Sequence, residues 1–184
     1  MVTGVTMKPA DHASIVRLLL DSQAVRFGQF TLTSGRTSDV YVDIKRVWTN
    51  PDYLDPLAAA LADRFRGEDR LAGMELGAVP LVVATALRVR RPYIVVRKAP
   101  REHGTEQRLE GEVPRGGRIL LIEDVATTGG SAAQSIDLLR AAGGSIDRAL
   151  VVVDRGEGAS ERLSLKGVKL ESLVTLADLR ESRT

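Results

Sequence analysis

From about residue 71 onward the chain alternates short, largely apolar runs with helical patterns, and this rhythm limits the available folds more than any other feature. The runs are "RLAGMEL", "YIVVR" (93–97), "RILLIED" (118–124), "RALVVVDR" (148–155) and "VKLESLVTL" (168–176). Between them lie the helical segments "PLVVATALRVR" and "SAAQSIDLLRAAG" (131–143), with a helical turn at "ADLRESR". Strands apolar on both sides need cover on both faces, and strands that alternate with helices form parallel sheets. The prediction is an α/β fold: a central parallel sheet flanked by helices. With 184 residues, 43% of them hydrophobic, the chain can bury the core of one domain. Residues 66–184 would form that core and residues 1–65 a small N-terminal hood. In the hood, "DHASIVRLLLDSQAV" reads as a helix capped by Asp11. "FGQFTLTSGRTSDVYVDIKRVW" reads as a hairpin or a bent strand pair, and "NPDYLDPLAAALADRFRG" as a helix of about four turns running from an Asn50 cap to Gly67.

Composition closes several doors. Without cysteine, and with only His12 and His103, thiolate chemistry is excluded and a histidine-rich metal site has little to draw on. The apolar runs fall far short of the roughly 20 residues of a membrane span, and "MVTGVTMKPADHAS" has no signal-peptide pattern, so a cytoplasmic protein with no membrane partner is expected. A net charge of +2 is too small to argue for nucleic acid. His12 reads as a solvated or locally bonded residue, and Trp48 and Tyr53 as packing residues.

The stretch "ILLIEDVATTGGS" (119–131) drives a buried strand into two carboxylates and then a loop almost without side chains. In an open parallel sheet, ligands bind beyond the carboxyl ends of the strands. The helix that follows would expose unpaired N–H groups at the positive end of its dipole, which suits a phosphate. Thr127, Thr128 and Ser131 add hydroxyls, and Gly129 and Gly130 permit close approach of the backbone. Carboxylates repel phosphate, so Glu123 and Asp124 point to a ligand with hydroxyls or magnesium beside its anionic end, such as a ribose phosphate. A bland acidic and glycine-rich turn would also fit this stretch. No G-x-x-x-x-G-K-[ST] loop and no strand-linked G-x-G-x-x-G competes with it.

A second segment, "VRKAPREHGTEQRLEGEVPRGG" (96–117), is unusually long for a connection inside a compact domain and suggests a lid. Arg97, Lys98, Arg101, His103 and Arg108 make it basic, with Gly104 and Gly111 as candidate hinges. Taken alone it is a solvated loop; beside a phosphate cup it could neutralise charge that grows on a departing group.

"ILLIEDVATTGGS" closely resembles the phosphoribosyl pyrophosphate (PRPP) motif of type I phosphoribosyltransferases. "RKAPREHG" is similar to the mobile loop Arg-Lys-x-x-Lys-x-His-Gly of the orotate phosphoribosyltransferases. "FTLTSGRTSDVYVD" resembles their base-pocket segment, and "VVVDR" the strand whose arginine meets the orotate carboxylate. The four segments follow family order across residues 30–155. The resemblance implies a type I phosphoribosyltransferase fold with a mobile loop at 98–115. It implies Mg-dependent transfer of the phosphoribosyl group from PRPP to orotate in pyrimidine (UMP) biosynthesis, by a homodimer that uses no nucleic acid. By the same resemblance, Glu123 and Asp124 would hold the ribose hydroxyls, Val125, Ala126, Thr127, Thr128, Gly129, Gly130 and Ser131 the 5′-phosphate, and Arg97, Lys98, Arg101 and His103 the remaining PRPP oxygens. "ELGAVP" (75–80) would receive pyrophosphate, Thr127 and Arg155 would orient orotate, and Arg101, His103 and Asp124 would be catalytic. Magnesium would travel with the substrate, with no direct protein ligand. Two departures stand out: Arg101 replaces the usual loop lysine, and Thr33 precedes the "SGR" serine where lysine is frequent, so that one base contact is absent or comes from Lys45. The alternatives are a transferase for another base, against which Arg155 argues, and a PRPP-binding regulator without catalysis.

Overall fold

The computed structural model describes residues 11–31, 37–100 and 108–182. Arg101, His103 and Gly104, and Thr33 with the rest of the "TSGR" turn, lie outside them.

The hood begins with α1 (His12–Asp21), whose N-cap Asp11 accepts from Ser14 N. It stops earlier than predicted: Gln23 takes φ 56, which turns the chain so that Val25 opens a strand. β1 (Val25–Thr31) and β2 (Thr37–Val42) pair antiparallel with an irregularity between Phe27 and Phe30, the expected hairpin. A short α2 (Lys45–Trp48) follows, and then α3 (Pro51–Ala62), capped by the Asn50 side chain. α3 ends before Gly67, the predicted stop, since Asp63 already serves as its C-cap.

The core consists of β3 (Arg70–Met74), α4 (Val79–Val89), β4 (Tyr93–Val96), β5 (Leu109–Glu110), β6 (Ile119–Ala126), α5 (Gly130–Ala141), β7 (Arg148–Asp154), α6 (Ala159–Ser164), β8 (Lys169–Thr175) and α7 (Leu176–Glu181). The sheet order is β5-β4-β3-β6-β7-β8. It is parallel except for the antiparallel pairing of β4 with β5 at one edge. β5 lies in the stretch read as loop, and α6 was not anticipated: two residues are too short for a periodic signal, and the polar "ASERLS" shows none. A larger correction concerns β6, which continues through Glu123 and Asp124 to Ala126, because Val125 and Ala126 still pair with Val153 and Asp154. The carboxylates therefore sit within the last turn of the ladder, and the loop is confined to Thr127–Gly129.

Alternation along the strands divides the core into two layers. Leu120 and Ile122, with Leu71, Leu150 and Val152, pack on the side of α1, α3 and α4. Ile119 and Leu121, with Ala72, Ile94 and Val96, meet Ala132, Ile136 and Leu139 of α5 and Leu163 of α6. Since side chains in a strand change face at every residue, the same alternation delivers Glu123 to the α5–α6 side and Asp124 to the α4 side. Among the described residues no helix is long and apolar enough to cross a membrane.

Candidate active site

Four chain segments converge at the carboxyl edge of the sheet. β6 brings Glu123 and Asp124, the turn after β3 brings Glu75–Ala78, the end of β4 brings Arg97 and Lys98, and the end of β7 brings Arg155.

Asp124 packs against the turn after β3. Its Oδ1 accepts from Val125 N at 2.9 Å, and its Oδ2 lies 2.2 Å from where a Cβ on Gly77 would stand. Gly77 is thus a glycine because the carboxylate occupies the space of a side chain. Burial pushes the Asp124 pKa above its ordinary value, opposed by backbone N–H donors and by the Lys45 and Lys98 charges. Glu75 ties the turn to β4: its N–H donates to Val96 O at 2.8 Å, and its Oε1 accepts from Lys98 N at 2.9 Å. The Glu75–Leu76 peptide is cis.

Glu123 is 7% exposed, and its Oε1 is buried without a hydrogen-bond partner. It borders a small cavity with Thr127, Gly129 and Ser131 on one side and Ala149, Ala159, Leu163 and Leu170 on the other. Burial first, and the neighbouring Asp124 second, push its pKa up to about 8, with Lys98 acting weakly against them. Glu123 is therefore a neutral carboxylic acid at neutral pH in the free protein.

The helix that opens this cavity has a bare N-terminus. Gly129, at φ 72, is the N-cap of α5 and offers no side-chain cap. The first helical bond runs from Ala133 N to Gly129 O at 2.9 Å, which leaves the N–H groups of Gly130, Ser131 and Ala132 for another acceptor. Thr127 and Thr128 beside them are exposed.

The predicted cations fall into distinct positions. Lys98 influences both carboxylates. Arg97 lies between two acids, 3.5 Å from Glu110 and 4.0 Å from Glu75. Arg155 is at the site, its backbone N–H bonded to Ala126 O at 3.0 Å and its guanidinium to Glu157 at 2.7 Å. Arg108, read as a flap cation, instead donates to Arg97 O at 3.0 Å and to Lys98 O. With the Gln134 amide turned to face it, Arg108 also reaches α5 at 3.2 Å. Lys45, named only as a substitute contact, proves to be a cation that acts on Asp124 from the hood. Glu75 falls in the predicted "ELGAVP" turn but had no role of its own in that reading, and Gln134 was missed altogether; only the tertiary structure brings their side chains to this edge.

Among the described residues no group of three or more His, Cys, Asp or Glu could hold a metal ion. A resident, protein-built magnesium cage does not fit this donor set, with one acid neutral and its neighbour on the opposite face.

The family model described as "Phosphoribosyl transferase domain" matches residues 44–172. An orotate phosphoribosyltransferase of Natronomonas pharaonis is 47% identical over 94% of this chain and 99% of its own length. The crystal structure of orotate phosphoribosyltransferase from Aeropyrum pernix matches with a TM-score of 0.82 and 38% identity, covering 91% of this chain and 97% of the other. A Mycobacterium tuberculosis orotate phosphoribosyltransferase in complex with PRPP matches with a TM-score of 0.74 and 30% identity over 92% of this chain and 98% of the other.

Proposed function

This chain belongs to the orotate phosphoribosyltransferases, within the phosphoribosyl transferase domain family, and from that premise we propose how its own residues carry out the reaction. The protein transfers the phosphoribosyl group of PRPP to orotate. A ring nitrogen of orotate forms the bond to the anomeric carbon as the bond from that carbon to the diphosphate oxygen breaks, giving orotidine 5′-phosphate and pyrophosphate. The observation that carries this reading is the junction of Asp124 with the Gly77 turn beside the uncapped start of α5. It sets a carboxylate for hydroxyls, a backbone turn for one anion and a helix N-terminus for another within one edge of the sheet.

In this mechanism Asp124 accepts from a ribose hydroxyl and Glu123, being neutral, can also donate to one. Val125–Ser131 wrap the 5′-phosphate with N–H groups and hydroxyls. The Gly77 turn meets the diphosphate, and Lys98 and Arg97, joined by Arg101 and His103, balance its charge as it leaves. The reacting carbon becomes electron-poor, so catalysis rests on positioning and on electrostatic stabilisation. Magnesium, which would come with PRPP and not from a protein ligand set, would supply charge neutralisation for the departing diphosphate. Thr127 orients orotate, and Arg155 exchanges Glu157 for the orotate carboxylate, since a guanidinium fork fits either anion. Arg101 keeps its proton at neutral pH, which leaves His103 or water to protonate the leaving group. The reading includes a homodimer, to be checked by light scattering.

The experiment is to incubate the purified protein with PRPP, magnesium and orotate, and in parallel with uracil, hypoxanthine or adenine, and to follow each base. Consumption of orotate alone is expected. Turnover of a purine alone overturns the base assignment, and saturable PRPP binding without any turnover makes the protein a regulator.

A further inference from the structure

A phosphate monoester carries a charge of about −1.5 to −2 at neutral pH, yet residues 125–131 offer it only neutral donors. Glu123, Asp124 and Asp154 stand nearby. The cations already placed have other duties. Lys45 bonds Asp43 at 3.2 Å, Lys98 sits at the end of β4, Arg97 lies between Glu75 and Glu110, and Arg155 bonds Glu157.

α6 supplies a further one. Arg162 Nη1 lies 3.7 Å from where a Cβ on Gly130 would stand, and Thr128 Oγ1 lies 3.9 Å from the same point. The guanidinium and the threonine hydroxyl therefore flank the first residue of α5. The placement is fixed by packing: a Cβ on Gly129 would come within 3.0 Å of Ala159 Cα and of Leu163 Cδ1, so α6 presses directly on the turn that opens α5. Ala159 and Leu163 also wall the cavity bordered by Glu123, Thr127 and Ser131, where Glu123 Oε1 is buried without a partner. The Arg162 backbone N–H bonds Gly158 O at 3.1 Å, while no described carboxylate pairs with its guanidinium.

We infer that Arg162 closes the phosphate cup as its cationic wall and binds the 5′-phosphate of the ribose substrate. The inference rests on the function proposed above and adds a residue from outside the PRPP motif. Arg162 touches the end of the substrate that does not react, so it sets affinity for sugar phosphates and leaves the diphosphate and base subsites alone.

The test is calorimetric titration of the full chain with PRPP, ribose 5-phosphate and pyrophosphate, each with magnesium. Arg162→Ala is expected to weaken PRPP and ribose 5-phosphate alike by about tenfold, the low end for a hydrogen bond to a charged group. Arg162→Lys should recover part of the loss, and pyrophosphate affinity should not move. Equal thermal midpoints for both variants and the parent would separate lost binding from lost folding. Ribose 5-phosphate affinity that survives Arg162→Ala, or a parallel loss for pyrophosphate, overturns the inference while the function stands. A parent protein that binds neither sugar phosphate overturns the function, and the inference with it.

Discussion

Adjacent residues on a strand face opposite ways, so Glu123 and Asp124 meet different surroundings and cannot do the same work. Asp124 lies against the Gly77 turn near two lysines. Asp124→Asn is expected to raise the Kd for PRPP at least tenfold and to change orotate binding little, as read by titration of each ligand. Gly77→Ala would place a methyl 2.2 Å from Asp124 Oδ2. The turn must then shift, and kcat/KM for PRPP should fall more than tenfold, since small displacements at a reacting site are costly. Glu123 gives a pH-dependent effect whose sign follows from its raised pKa. The folded protein keeps this proton up to about pH 8, whereas an ordinary glutamate releases it near pH 4.5. Between those values the native state binds more protons than the unfolded one, so stability declines as pH rises, by up to roughly 1.4 kcal/mol per pH unit. Glu123→Gln removes the ionisation. In the ligand-free protein its thermal midpoint should match the parent's near pH 4 and exceed it increasingly toward about pH 8; a constant difference at all pH values would show that Glu123 ionises normally.

At the scale of elements, the site is held by contacts between segments distant in sequence. Gly129 answers two demands at once, a left-handed φ of 72 and the close approach of α6. Gly129→Ala should therefore cost about 2 kcal/mol or more, combining backbone strain with overpacking, and weaken PRPP together with the fold. Arg108 joins the two ends of the loop that leaves β4: its guanidinium holds the carbonyls of Arg97 and Lys98, and its own carbonyl accepts from Arg97 N at 2.8 Å. Arg108→Ala is expected to speed amide hydrogen exchange at Arg97 and Leu109 while the helices of the core keep their protection; unchanged exchange there would show that the β4–β5 pairing holds the loop without it. The sequence marks Arg108 as basic but cannot show its direction. A guanidinium that faces ligand and one that faces carbonyls have the same residue code.

Across the whole molecule, the ends of the sheet are specialised. Ligand chemistry gathers at the carboxyl edge, while the amino edge is tied by a buried ionic cluster. Arg148, 5% exposed, bonds Glu68 (3% exposed), Glu171 at 3.1 Å and Arg64 O at 2.9 Å. Burial acts to raise Glu68, but hydrogen bonds from Arg148 and from backbone N–H groups outweigh it and hold the carboxyl below its usual range. The stability this gives is complete above the ordinary carboxylate pKa and is lost as pH falls below it. Arg148→Met strands Glu68 in the interior and should cost about 3–5 kcal/mol, read as a lower thermal midpoint, with PRPP affinity at room temperature unchanged because the cluster lies at the far end of the strands. By itself the sequence determined the α/β class, the hood hairpin, the Asp11 and Asn50 caps and the PRPP motif, since apolar periodicity, capping chemistry and short motifs are local and are written in consecutive residues. Tertiary structure decided how far β6 runs, which face each carboxylate takes, that Arg108 turns to backbone, and that α6 brings Arg162 to the cup. The reach of β6, the faces of the carboxylates and the approach of α6 depend on strand pairing and packing between separate segments, while Arg108 lies within about ten residues of the carbonyls it holds and takes its direction from the fold of that loop.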